Sequence, residues 1–222
     1  MDGKLSGSGR RSFIAGAGAI LASIAGPKIA SAAPLWATDD PEPAEPWLRG
    51  LNGEHRQFFD INASRNGVPL SRALNFYDAY REAYGLQPAD LSVLLGCHGP
   101  ASSFVLNDAM YAKYELGKKY DAIDPLTKRP ATRNPFVKKL DGYDWRSDFS
   151  VEAHQARGAR FLWCNKSLGG LAIELAAGKR DDEAAIAAEL RANVLPGVTI
   201  VPAMIVAANR AQEIGCAYTS IA

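Results

Sequence analysis

Five short strand-like runs, set between segments of helical period, constrain the fold of this chain more than anything else in it. The runs are 55–61, 91–95, 161–164, 198–201 and 216–221, each of strand length. Behind Pro69, Leu70, Ala73, Leu74, Tyr77, Tyr80 and Tyr84 recur at helical spacing, and Gly85 follows as a stop. A second helix is predicted from a cap at Ser102 or Ser103, through Leu106, Met110 and Tyr114, to about Leu116. A short helix spans 151–157, and another continues through 171–177 beyond Gly170. Asp181, Asp182 and Glu183 then open a helix with Ile186, Leu190 and Val194 as its stripe. Pro202 opens the last helix, which stops at Gly215. Strands that alternate with helices predict an α/β fold with a parallel sheet covered on both faces.

In such folds the ligand crevice lies outside the carboxyl ends of the strands. Phe161-Leu162-Trp163-Cys164-Asn165-Lys166-Ser167-Leu168-Gly169-Gly170 fits this pattern, an apolar run that ends on a cysteine beside small and polar residues. A thiol at that edge, next to a helix N-terminus, gains thiolate character and becomes reactive. A buried, inert cysteine that merely closes the strand is the other reading. Three strand ends bring Asp60 and Asn62, then Cys97 and His98, then Cys164, Asn165 and Lys166 to the same edge. His98 can serve as a base toward the thiol, and Lys166 can stabilise a thiolate or an anionic ligand. Equally, His98 can be a satisfied histidine in a tight turn and Lys166 a solvated lysine. Cys97 and Cys164 are candidates for a disulfide, whereas Cys216 reads as core. His55, His98 and His154 lack metal-ligand spacing and no C-x-x-C occurs, so neither a metal nor another cofactor is expected.

The N-terminus reads as an address. Arg10-Arg11-Ser12-Phe13-Ile14, a mild apolar run over 15–26, Lys28 and Ala30-Ser31-Ala32 resemble a Tat export signal, with Gly9 where that pattern prefers Ser or Thr. The run is too short for a membrane span of about 20 residues. Residues 1–32 are therefore expected to be removed after passage through the Tat translocase. A periplasmic protein without a stable membrane span is the expected product, with an uncleaved anchor as the alternative. Residues 33–47, rich in proline and acids, read as a flexible lead-in, and 48–222 as a single domain. Cleavage removes Lys4, Arg10, Arg11 and Lys28 against Asp2 alone, which leaves a nearly neutral chain and no electrostatic case for nucleic acid.

A long polar segment over 117–147 interrupts the alternation, and loops of that length are usually functional or disordered. It carries eight lysines and arginines, with Arg133 and Asn134 at a Pro-containing corner. It is either a lid that closes an anion over the cysteine edge or a loop that pads an oligomer interface. Gly-x-Gly-x-x-Gly, P-loop and Gly-x-Ser-x-Gly motifs are missing from the chain, against dinucleotide, nucleotide and serine-hydrolase chemistry.

The C-terminal wording resembles a known family. Leu195-Pro196-Gly197-Val198-Thr199-Ile200-Val201-Pro202, then Arg210-Ala211-Gln212-Glu213-Ile214-Gly215 and Cys216-Ala217-Tyr218, is similar to the tail of DsrE/DsrF-like proteins. The resemblance is clearest over the last third of the chain and looser from about residue 54. It implies a three-layer α/β sandwich with a central, mainly parallel five-stranded sheet, and a homo-oligomer, a trimer or hexamer. In sulfur-relay members a strand-end cysteine carries a persulfide, and Cys164 stands at the matching place. The leading expectation is a sulfur carrier on Cys164, with His98 and Lys166 in support and Cys97 as a candidate resolving partner. Its ligand would be a small anionic or sulfur-containing molecule, met by Asn62, Asn165, Arg133 and Asn134. Export and the 117–147 insertion both depart from the family pattern. A non-catalytic binding or assembly protein is the reading from the other class.

Overall fold

A computed structural model describes residues 45–139, 148–179 and 182–222 of the chain. The export signal, most of the lead-in and residues 140–147 of the long segment lie outside the described residues. The strands are β1 (His55–Ile61), β2 (Leu91–Cys97), β3 (Arg160–Cys164), β4 (Val198–Val201) and β5 (Ala217–Ile221). The helices are α1 (Val68–Tyr84), α2 (Asp108–Tyr114), α3 (Leu116–Lys119), α4 (Val151–Ala156), α5 (Asn165–Lys179), α6 (Glu183–Ala192) and α7 (Met204–Glu213). All strand pairs are parallel, in the order β4-β3-β2-β1-β5. The protein is a three-layer α/β sandwich around this five-stranded sheet.

The order explains how the layers divide. From β1 to β4 the chain steps along the sheet in one direction, so right-handed crossovers place every intervening helix on one face. The return from β4 to β5 runs the opposite way and places α7 on the other. The two cores match this division. Leu70, Tyr77, Tyr111, Leu168 and Leu190 pack with Phe59, Leu95, Phe161 and Trp163 on the first face. On the second, Met204, Ala207, Ala208 and Ala211 of α7 pack with Phe58, Leu94, Leu162 and Cys164, helped by Trp47 and Leu51. Trp47 therefore belongs to the folded body, although the lead-in was expected to run through it. Arg160 holds this stretch by donating to the carbonyls of Trp47 (2.8 Å), Arg49 (2.5 Å) and Gly50 (3.2 Å).

Gly96 is what lets α7 approach the sheet. A Cβ at that position would stand 2.5 Å from Met204 Sδ and 2.8 Å from Phe58. With no side chain there, the first residue of α7 settles over the middle strand.

Two expectations need correction. The helix predicted from Ser102 or Ser103 does not start there. Residues Gly99–Phe104 form a 3-10 stretch, and the Ser102 hydroxyl accepts instead from Trp163 Nε1 at 2.9 Å. Asn107 caps α2, its side-chain oxygen accepting from Met110 N–H at 3.2 Å. The described part of the long segment is built into the first core. Gly117 fits only because it lacks a side chain, since a Cβ would lie 2.1 Å from the Ala131 carbonyl oxygen. Ala122, Ala131 and Phe136 are buried, with Phe136 edge-on to Phe104 at 4.9 Å. No helix among the described residues is long and apolar enough to cross a membrane.

Candidate functional site

A cleft of about 640 Å³ opens at the carboxyl ends of the strands, on the face that α7 covers. Asp60, His98, Cys164, Lys166, Met204 and Tyr218 line it, together with further residues of α7. α7 roofs only part of a five-stranded sheet, so a recess remains beside it over β1 and β5. Side chains that point to this face at the strand ends become its lining.

Cys164 is the last residue of β3 and is 5 % exposed. Its Sγ accepts a hydrogen bond from the backbone N–H of Met204, the first residue of α7, at 3.3 Å. α5 begins at the very next residue. The sulfur therefore sits at the head of two helices, where unsatisfied N–H groups and the helix dipoles favour negative charge. Lys166, the second residue of α5, is exposed at the rim.

His98 follows β2 directly, and its backbone N–H donates to the Ile61 carbonyl at 3.1 Å. Its Nε2 lies 2.9 Å from Asp60 Oδ1, a close contact whose angles fall short of a hydrogen bond and which is an ion pair only when the ring is protonated. The other oxygen, Asp60 Oδ2, accepts from the Tyr218 hydroxyl at 2.6 Å. Burial by itself would raise the Asp60 carboxyl. The close contact with His98, the Tyr218 hydrogen bond and the charge of His98 outweigh it and hold Asp60 below its ordinary value. The hydrogen bond to Asp60, and after it burial, pushes the Tyr218 phenol upward.

Cys97 does not reach the cleft. In the β2–β3 register it lies opposite Trp163, one residue before Cys164, and neighbouring positions on a strand face opposite sides of the sheet. Cys97 is fully buried in the first core and Cys164 lies in the second, and both are free thiols. The place of Cys97 on the opposite face keeps it from acting as a resolving partner for Cys164, and burial also drives its thiol upward. Cys216 is a buried free thiol as expected, raised by burial.

The other expected ligand contacts lie elsewhere. Asn62 is exposed beyond β1 and is no part of the cleft lining. Asn165 turns to α6, its Oδ1 accepting from Arg191 Nη2 at 2.5 Å. Arg133 pairs with the buried Asp124, Nε to Oδ2, at 3.4 Å. Asn134 is a structural clamp. Its Nδ2 donates to the carbonyls of Ser103 (3.1 Å), Phe104 (3.3 Å) and Leu106 (2.7 Å), while its Oδ1 accepts from Phe136 N–H at 2.9 Å. Arg133 and Asn134 border a different depression of about 380 Å³, with Asn107 and Glu152.

Tyr218 is the site residue that sequence reasoning missed. Its signal is register alone: it stands beside Phe58 on β1, and so on the same face as Asp60 two residues on. Among the described residues no group of three or more His, Cys, Asp or Glu side chains is placed to hold a metal ion.

Compared with known proteins, the chain matches no described family and no curated protein. Among solved structures it is similar to the protein of unknown function MTH1491 from Methanobacterium thermoautotrophicum. The two are 16 % identical, the match covers 76 % of this chain and 100 % of that one, and the TM-score is 0.39.

Proposed function

We propose that the cleft carries sulfane sulfur on Cys164, as an exported, DsrE/F-like sulfur relay protein. The observation that carries this reading is the setting of one thiol, 5 % exposed, inside a cleft of about 640 Å³ with the Met204 N–H on its sulfur. A nucleophilic sulfur needs its negative charge stabilised, and two helix heads and the rim lysine supply that. Because Cys164 is 5 % exposed and lines the cleft, the donor delivers its sulfur as a small group. The thiolate attacks the outer sulfur of a persulfide R–S–SH, a new Sγ–S bond forms and R–S⁻ leaves. The Tat-like N-terminus supports a periplasmic setting for this chemistry.

The alternative is a non-catalytic assembly or small-ligand protein. Ile205, 82 % exposed, and the half-exposed Val206 and Tyr218 give α7 and β5 an apolar rim suited to subunit contact. The two readings meet in a trimer or hexamer that closes around the cleft. Sulfane sulfur released by cyanide from the protein after exposure to a persulfide donor tests the carrier reading. Release from the wild type and none from Cys164→Ser supports it; equal release from both refutes it. Light scattering tests assembly, which a clean monomer contradicts.

A further inference from the structure

We propose that Asp60 and Tyr218 are positioning residues that hold His98 as the proton carrier for Cys164. This rests on the sulfur-carrier reading above and adds to it a second, separately testable limb.

One carboxylate oxygen is bound and the other stands within reach of His98, needing only a small turn of the ring to straighten the contact. Oδ2 takes the Tyr218 hydroxyl at 2.6 Å and Oδ1 faces His98 Nε2 at 2.9 Å. The backbone of His98 is itself tied to Ile61. An ionised carboxylate only accepts, so Nε2 carries the hydrogen and Nδ1 of the neutral ring becomes the acceptor. The Asp60 carboxyl is held below its ordinary value, which keeps it ionised wherever histidine titrates. The charged and titratable groups around the ring come from several elements. They are Asp60 of β1, Tyr218 of β5, Cys164 of β3 and Lys166 of α5, whereas α7 presents the uncharged Asn209 and Gln212. Cys97, next to His98 in the chain, lies on the opposite face of the sheet.

In the step this arrangement serves, His98 Nδ1 takes the proton from the Cys164 thiol. The thiolate attacks the terminal sulfur of a small alkyl persulfide, the donor S–S bond breaks and the Sγ–S bond forms. The electron pair leaves on the donor's inner sulfur, which takes the proton back from Nδ1. The products are Cys164–S–SH and R–SH, with no net gain or loss of electrons or protons.

The test uses the full chain and cysteine persulfide as probe, with loading followed by intact mass across the pH range where histidine and cysteine titrate. Asp60→Asn turns an amide N–H toward His98 Nε2 and inverts the ring tautomer. We expect it to slow loading by about tenfold or more at neutral pH, with little change in melting temperature. Tyr218→Phe is milder. It removes one of the two contacts that fix the carboxylate, and should slow loading by less than Asp60→Asn does. Nitrogen NMR of the wild-type His98 ring should report hydrogen on Nε2, a readout that needs neither activity nor a foldable variant. Loading by Asp60→Asn at the wild-type rate at every pH, or hydrogen on Nδ1 in the wild type, overturns the proposal while the carrier reading stands. Loading of Cys164→Ser overturns both.

Discussion

The N–H of Met204 donates to Cys164 Sγ across 3.3 Å, so the residue that opens α7 also reaches the sulfur that closes β3. The contact depends on how closely α7 approaches the sheet, and Gly96 sets that approach. Packing in the second core and polarity at the cleft are therefore one arrangement.

Gly96→Ala should separate the two. Its Cβ would stand 2.5 Å from Met204 Sδ and 2.8 Å from Phe58, so the side chains that seat α7 must shift. Overpacking of this kind costs about 1–3 kcal/mol. We expect a lower denaturation midpoint and a changed rate of Cys164 alkylation at fixed pH. Gly170→Ala is the control, because a Cβ there meets nothing within 4 Å. It should leave the alkylation rate unchanged. Equal alkylation of Gly96→Ala and wild type would mean that the α7 seat does not govern the thiol.

His154 makes stability depend on acid. It is fully buried, its Nε2 lies 3.0 Å from the Leu70 carbonyl oxygen, and burial lowers its pKa to about 4 from 6.5. A lowered histidine pKa means that the unfolded chain takes up the proton first. Its contribution is whole above pH 6.5 and is lost as the pH falls toward 4. At 1.36 kcal/mol per pH unit the full loss is roughly 3 kcal/mol. Unfolding free energies of wild type and His154→Gln, measured over that window, should draw together as the pH falls. Parallel curves would contradict this account.

Asn134→Ala should unfold more easily without losing sulfur chemistry. Truncation leaves the buried carbonyls of Ser103, Phe104 and Leu106 short of a donor. Each unsatisfied group costs on the order of 1–3 kcal/mol, shared here among neighbours that can relax. A denaturant midpoint well below wild type, with unchanged loading of the folded protein, is expected. Lost loading with intact stability would restore Asn134 to a ligand site.

The strands were the most legible part of the chain. β1 and β4 fall at the predicted bounds, marked by the buried Phe58, Phe59 and Ile61 in one and by a β-branched run in the other. Pro69 and Gly85 marked α1 because their backbone limits act locally. The break before α2 was hidden, since Ser102 is a good cap residue whose hydroxyl is claimed by the distant Trp163. The polar segment beyond Gly117 looked detachable because the partners of Asn134 are backbone carbonyls, which no sequence pattern displays. At the site, strand ends brought Asp60, His98 and Cys164 to one edge, but only the register shows that Cys97 faces the other way. Tyr218 enters from β5, an edge strand that sits beside β1 only after the chain has crossed the sheet.

The most direct test of the central claim is the intact mass of the protein isolated from the periplasm without reductant, before and after exposure to a small persulfide. The account predicts a gain of one or more sulfur atoms, reversed by reductant and absent from Cys164→Ser. It predicts no mass loss from a Cys97–Cys164 disulfide, because the two thiols lie on opposite faces of the sheet. A mass that stays at the unmodified value, or a gain that persists in Cys164→Ser, would contradict it.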